Sequence, residues 1–97
     1  MIYPSEETLK KIAEYSFTEF TPDNFHEFMK LVESEWEFAD WGWEVEGNVY
    51  HISTGGWSGN EDLIGAMKEN IMFWLMYWQQ SRRGGHYIFC PIGAEID

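Results

Sequence analysis

Cationic side chains are scarce in this chain of 97 residues: six lysines and arginines stand against 17 aspartates and glutamates, a formal charge of −11. No basic stripe is present to displace counterions from phosphates, which argues against direct nucleic-acid binding. Cys90 is the single cysteine, so an internal disulfide cannot form. With no basic-then-apolar leader after Met1, the expectation is a reducing cytoplasm and not secretion. The longest apolar run, Ile71 to Trp78, falls far short of the ~20 residues that a bilayer crossing needs, so no membrane association is predicted. Repeats and low-complexity tracts are missing as well. His26, His51 and His86 lack metal-ligand spacing, no catalytic signature is present, and no cofactor motif is complete, so the reading is non-enzymatic.

What the chain does have is acid, unevenly placed. Residues 1–46 hold twelve acids and three lysines, −9 of the −11. Glu33, Glu35, Glu37, Asp40, Glu44 and Glu46 form a row that presents phosphate-like charge. Trp41 and Trp43 inside that row make it an acidic aromatic patch suited to a cationic or arginine-rich surface. The plainer reading is a solvated face with core tryptophans.

At this length one domain, 1–97, buries roughly 60 to 70% of its unfolded surface without metal or disulfide. Pro4-Ser5 opens a first helix, with Leu9, Ile12, Ala13, Phe17 and Phe20 at helical intervals. Thr21-Pro22 caps a second, whose stripe is Phe25, Phe28, Met29, Val32 and Trp36. These two give a helical hairpin over 1–38. Trp41 to Glu46 alternates with period two, Gly47-Asn48 turns, and Val49 to Thr54 returns, which predicts a β-hairpin.

Ser58-Gly59-Asn60-Glu61 has capping-box spacing and predicts one long helix over 59–81, with Ile64, Met67, Ile71, Trp74, Leu75 and Trp78 on its core face. Arg82 and Arg83 would complement its negative end, and Gly84-Gly85 would stop it before a strand over His86–Cys90. The expected fold is α+β in the order α-α-β-β-α-β, with a β-hairpin, long helix and strand over 41–90. Its sheet has three strands and is mixed, because the long helix acts as a right-handed crossover between parallel strands. Such a helix spans about 30 Å, which sets the Thr54–Asn60 turn and the Arg82–His86 turn at opposite ends. Arg82 and Arg83 then approach the Gly47-Asn48 tip, and the first turn lies near Cys90.

The alternative is a small-ligand-binding or enzymatic domain that uses the turn 53–60, with Ser53, Thr54, Trp57 and Asn60 as polar or stacking contacts around a backbone nest at a helix start. The plainer reading is a capped tight turn packed by Trp57. Phe73, Met76 and Tyr77 lie off the main helix face, and their burial against a second copy predicts a homodimer.

The segments STGGWSGNED at 53–62 and SRRGGHYIF at 81–89, with the aromatic helix between them, resemble small proteins encoded by bacteriophages and prophages. The resemblance covers roughly residues 41–89 and carries no assigned catalytic residue. It implies a viral accessory protein acting in the bacterial host. In size and charge the chain is also similar to anti-CRISPR proteins and other host-defence inhibitors, which implies a basic, nucleic-acid-handling host protein as partner.

Overall fold

A computed structural model of the chain describes residues 3–91. The fold is α+β, and its order begins as the sequence predicts. Helix α1 (Glu6–Ala13) is capped by Ser5 Oγ, which accepts from Thr8 N at 3.1 Å. Helix α2 (Pro22–Glu33) is capped by Thr21 Oγ1 accepting from Asn24 N at 3.2 Å, with Pro22 in its first turn, where a missing N–H costs nothing. Phe25, Phe28, Met29, Val32 and Trp36 are all buried. The first helix is shorter than its apolar spacing suggests, because Phe17 and Phe20 belong to the connection and stack on each other at 5.7 Å. The two helices do not form a simple hairpin: α1 packs chiefly on α4, described below, while α2 lies over the sheet through Phe25 and Tyr50.

A short helix, α3 (Ala39–Gly42), leads into strands β1 (Trp43–Glu46) and β2 (Val49–Ser53), which pair antiparallel around Gly47-Asn48. Beyond this point the structure departs from the predicted long helix. Helix α4 (Ser58–Glu69) stops at Asn70, whose φ −81°, ψ 85° lies outside the helical region. A second helix, α5 (Ile71–Tyr77), restarts at once, and Trp78 opens a strand, β3 (Trp78–Arg82), that turns back through Gly84-Gly85 into β4 (His86–Phe89). The sheet therefore has four strands in the order β1-β2-β4-β3, and every pairing is antiparallel. The predicted three-stranded mixed sheet with a parallel crossover is corrected accordingly.

Asn70 makes the break. Its Oδ1 accepts from Phe73 N at 3.1 Å and caps α5, while its Nδ2 donates to Ile12 O at 2.9 Å and Tyr15 O at 3.0 Å. The side chain thus satisfies two carbonyls at the end of α1 and one orphan amide at the start of α5. The break also rotates the aromatic run. Phe73 and Tyr77 turn inward, 0% and 1% exposed, and join Phe25, Phe28 and Phe89 in one aromatic cluster. Ile71 and Leu75, expected on the core face, are exposed instead, together with Met72. Of the residues expected to need a second copy, Phe73 and Tyr77 are covered within the chain and Met76 is half-buried.

Tyr50 and Ile52 of β2 and Phe89 of β4 point into this core. His51 and Ser53, one residue out of phase, occupy the opposite face of the sheet, as alternation requires.

Asn70→Ala removes three buried hydrogen bonds at about 1 kcal/mol each and is expected to cost about 3 kcal/mol in urea unfolding. Asn70→Asp keeps the acceptor but loses both donors, so it should be at least as damaging. A loss well under 1 kcal/mol for both variants would show that the α4–α5 break does not depend on this side chain.

Candidate functional site

The acidic row begins where α2 ends. Glu33 is exposed, and its charge adds to burial in holding the Tyr50 phenol above its ordinary pKa, burial being the larger cause. Tyr50 Oη in turn meets His26 Nδ1 at 2.5 Å, and His26 Nε2 meets Asn48 Oδ1 at 2.8 Å. Since the amide oxygen only accepts, His26 carries its proton on Nε2 and accepts from Tyr50. Glu35 is half-buried and used by the fold: its Oε1 accepts from Ser5 N at 3.0 Å.

Glu37 is fixed through its backbone. Its N–H donates to Asn60 Oδ1 at 2.8 Å and its carbonyl accepts from Asn60 Nδ2 at 2.9 Å. This clamp precedes Phe38, which adopts the left-handed region at φ 60°, ψ 41°. A bulky residue there costs roughly 1–2 kcal/mol and persists only where its surroundings fix it. The Phe38 carbonyl accepts from Trp41 N at 3.2 Å and Gly42 N at 2.9 Å, which closes the turn into α3. The strain leaves two aromatic rings in solvent, Phe38 at 42% and Trp41 at 59% exposure. Phe38 packs against Trp57 at 5.2 Å between centroids, and the Trp41 ring lies over Gly55, where a Cβ would come within 2.9 Å of Cη2.

Asp40 is exposed beside Trp41 in α3, and Glu44 and Glu46 are exposed on β1 at the edge of the sheet. Among the described residues the single ion pair is Lys11–Glu7 at 3.5 Å, so none of the six acids in the row has a cation within reach. Trp43 separates from the patch. It is half-buried, meets Trp36 edge-on at 5.3 Å, and its indole nitrogen is buried without a partner among the described residues. It is a core residue, and Phe38, which carries no sequence signal, takes its place at the surface.

The glycine-rich turn is closed by its own chain. Thr54 is 2% exposed: its N–H donates to Gly85 O, its carbonyl accepts from Trp57 N and Asn60 Nδ2, and its hydroxyl accepts from Gly56 N. Asn60 is spent on Glu37 and Thr54, and Trp57 on Phe38. The reciprocal Ser58–Glu61 cap does not form, because α4 starts one residue early with Trp57 at its N-cap, and Glu61 N bonds to Trp57 O at 3.0 Å. Of the four ligand candidates, only Ser53 presents its side chain outside this closed turn.

The two glycine turns, expected at opposite ends, are adjacent. The antiparallel register sets Ser53 opposite His86 and His86 opposite Arg82, so the three form one row across β2, β4 and β3. Ser53 Oγ lies 2.5 Å from His86 Nδ1. Arg82 consequently sits at the Ser53 end of the sheet, away from the Gly47-Asn48 tip. A Cβ at Gly85 would collide with Thr54 Oγ1, and its φ of 79° also demands glycine, so the contact between the turns depends on that residue. Cys90 lies at the other end of β4, fully buried, with its N–H on Tyr77 O at 2.9 Å. Burial pushes its thiol pKa up, the wrong direction for a nucleophile.

No cluster of three or more metal-ligating side chains occurs among the described residues, and no helix among them is long and apolar enough to cross a membrane. No family model, curated protein or solved structure matches the chain.

Proposed function

We propose that the chain is a non-enzymatic accessory protein of the phage type, acting in a bacterial host by binding a basic, nucleic-acid-handling protein, as anti-CRISPR and similar inhibitors do. The observation that carries this reading is the exposed pair Phe38 and Trp41, the first of them strained, in a segment whose carboxylates have no cation partner among the described residues. Exposed rings beside unpaired acids suit arginine, whose guanidinium stacks on an aromatic face while its N–H groups reach a carboxylate. The binding surface comprises Glu37, Phe38, Asp40 and Trp41, flanked by Glu33, Glu44 and Glu46. Free acids, and not acids spent on internal ion pairs, support a surface that imitates a phosphate backbone.

Titration with an arginine-rich peptide and its lysine counterpart of equal charge tests the reading. The wild-type chain should bind both more weakly as salt rises and prefer arginine. Trp41→Ala should cut arginine affinity by about threefold, in line with an exposed cation–π contact, and abolish the preference. Binding that ignores salt, or a preference that survives Trp41→Ala, would contradict it.

Self-association is part of the same proposal, on residues other than those the sequence suggests. Ile71, Met72 and Leu75 are 66%, 53% and 72% exposed and share one side of α5 by helical spacing, with Trp78, 38% exposed, just beyond its end. Apolar area of this kind gains about 25 cal/mol per Å² on burial, and a second copy of the same face supplies it. Light scattering should report a dimer that tightens with salt, as the −11 charge on each copy is screened, and Leu75→Glu should return it to monomer. A monomer mass at both low and high salt would rule it out.

A further inference from the structure

The open face of the sheet carries a cleft of about 220 Å³ lined by His51, Ser53, Arg82, His86 and Ile88, with Ile52 and Tyr87 completing it. Its polar residues come from three strands, and two neighbouring rows of the register bring them together. Ser53, His86 and Arg82 form the first row, and His51, Ile88 and Gln80 the second. Ile88, 2% exposed, is the apolar floor.

The charge around this cleft is unlike that of the rest of the chain. Residues 47–60 and 70–91, which supply β2, its turn, α5 and the β3–β4 hairpin, contain no aspartate or glutamate, although the chain has 17. They contain Arg82, Arg83 and two of the three histidines. The nearest acid in the register is Glu44, opposite His51 on β1. The strands that line the cleft thus add no carboxylate of their own, and Glu44 is the acid that the register sets beside them.

Hydrogen bonding leaves donors unspent. Gln80 Oε1 accepts from Arg82 Nε at 3.1 Å, which orients the guanidinium while its two terminal nitrogens keep no partner among the described residues. Ser53 Oγ occupies His86 Nδ1, and His86 Nε2 has no partner among the described residues; in the tautomer in which Ser53 donates, Nε2 carries the proton and is a free donor. His51 has no hydrogen bond on either ring nitrogen among the described residues, and neither arginine is in an ion pair there.

We infer that this cleft binds a small oxyanion of the phosphate type, with the forked Arg82 guanidinium as the charged clamp, the His86 and His51 N–H groups as further donors, and Ser53 holding the His86 ring through Nδ1. The site is distinct from the Phe38–Trp41 pair and meets the acidic flank at Glu44, opposite His51. It also differs from the glycine-rich turn, whose polar groups are already satisfied, and does not depend on the proposed partner.

The test is a titration of the full chain with inorganic phosphate at constant ionic strength, followed through the imidazole and backbone amide signals, with chloride as control. Saturable shifts confined to residues 51–53 and 82–88 are expected. Arg82→Ala should weaken them by about tenfold or more, and Arg82→Lys by less, because the charge remains while the fork is lost. Arg82 is exposed, so both variants should keep the wild-type amide spectrum away from the cleft, and that spectrum is the control for folding. Shifts scattered over the surface, absent at millimolar phosphate, or unchanged in Arg82→Ala would overturn the assignment.

Discussion

Asn70 makes three buried hydrogen bonds, two of them to residues 58 and 55 positions earlier in the chain, and the architecture depends on what they permit. Ending α4 at that point lets α5 leave in a new phase, so that Phe73 and Tyr77 enter the core and Trp78 is released to start a strand. The hairpin of β3 and β4 follows, and with it the antiparallel partnership of β2 and β4. A continuous helix would have separated the two glycine turns by its whole length. The break places them in hydrogen-bonding contact, Thr54 N to Gly85 O at 3.0 Å.

A second buried asparagine organises the other half of the molecule. Asn60 grips both backbone groups of Glu37 and the carbonyl of Thr54, which ties the segment after α2 to the turn before α4. That grip holds Phe38 in a conformation it would not otherwise adopt, and the exposed aromatic pair results. The strain and the exposure have one cause. Charge is then divided between segments: carboxylates recur from the end of α2 through β1, while the strands that carry Ser53, His86 and Arg82 have none.

Local signals were legible in the sequence where local physics decides. Ser5 and Thr21 cap their helices as their type predicts, the Phe25–Trp36 stripe is buried, and the Gly47-Asn48 hairpin has the expected partners. The α+β class follows from these. The run from Ile71 to Trp78 was not legible, because an all-apolar stretch has no period and Asn70, a residue type that can end or cap a helix, sits where the helical pattern runs on past it. The choice depended on the distant carbonyls of Ile12 and Tyr15. Arg82 and Arg83 suited a helix end as well as a hairpin, and reading them as the former concealed the Ser53–His86–Arg82 row. Phe38 left no trace, since its conformation is imposed by Asn60 and not by its own neighbours.

The central claim is that Asn70 ends one helix and so converts Trp78–Arg82 into a strand beside β4. Interproton contacts in solution measure this directly. The account predicts cross-strand contacts linking Ser53 to His86, Tyr50 to Phe89 and Arg82 to His86, with helical amide contacts interrupted at Asn70 and absent beyond Trp78. Unbroken helical contacts from Ser58 to Ser81, with Tyr50 rather than Ser53 beside His86, would contradict it.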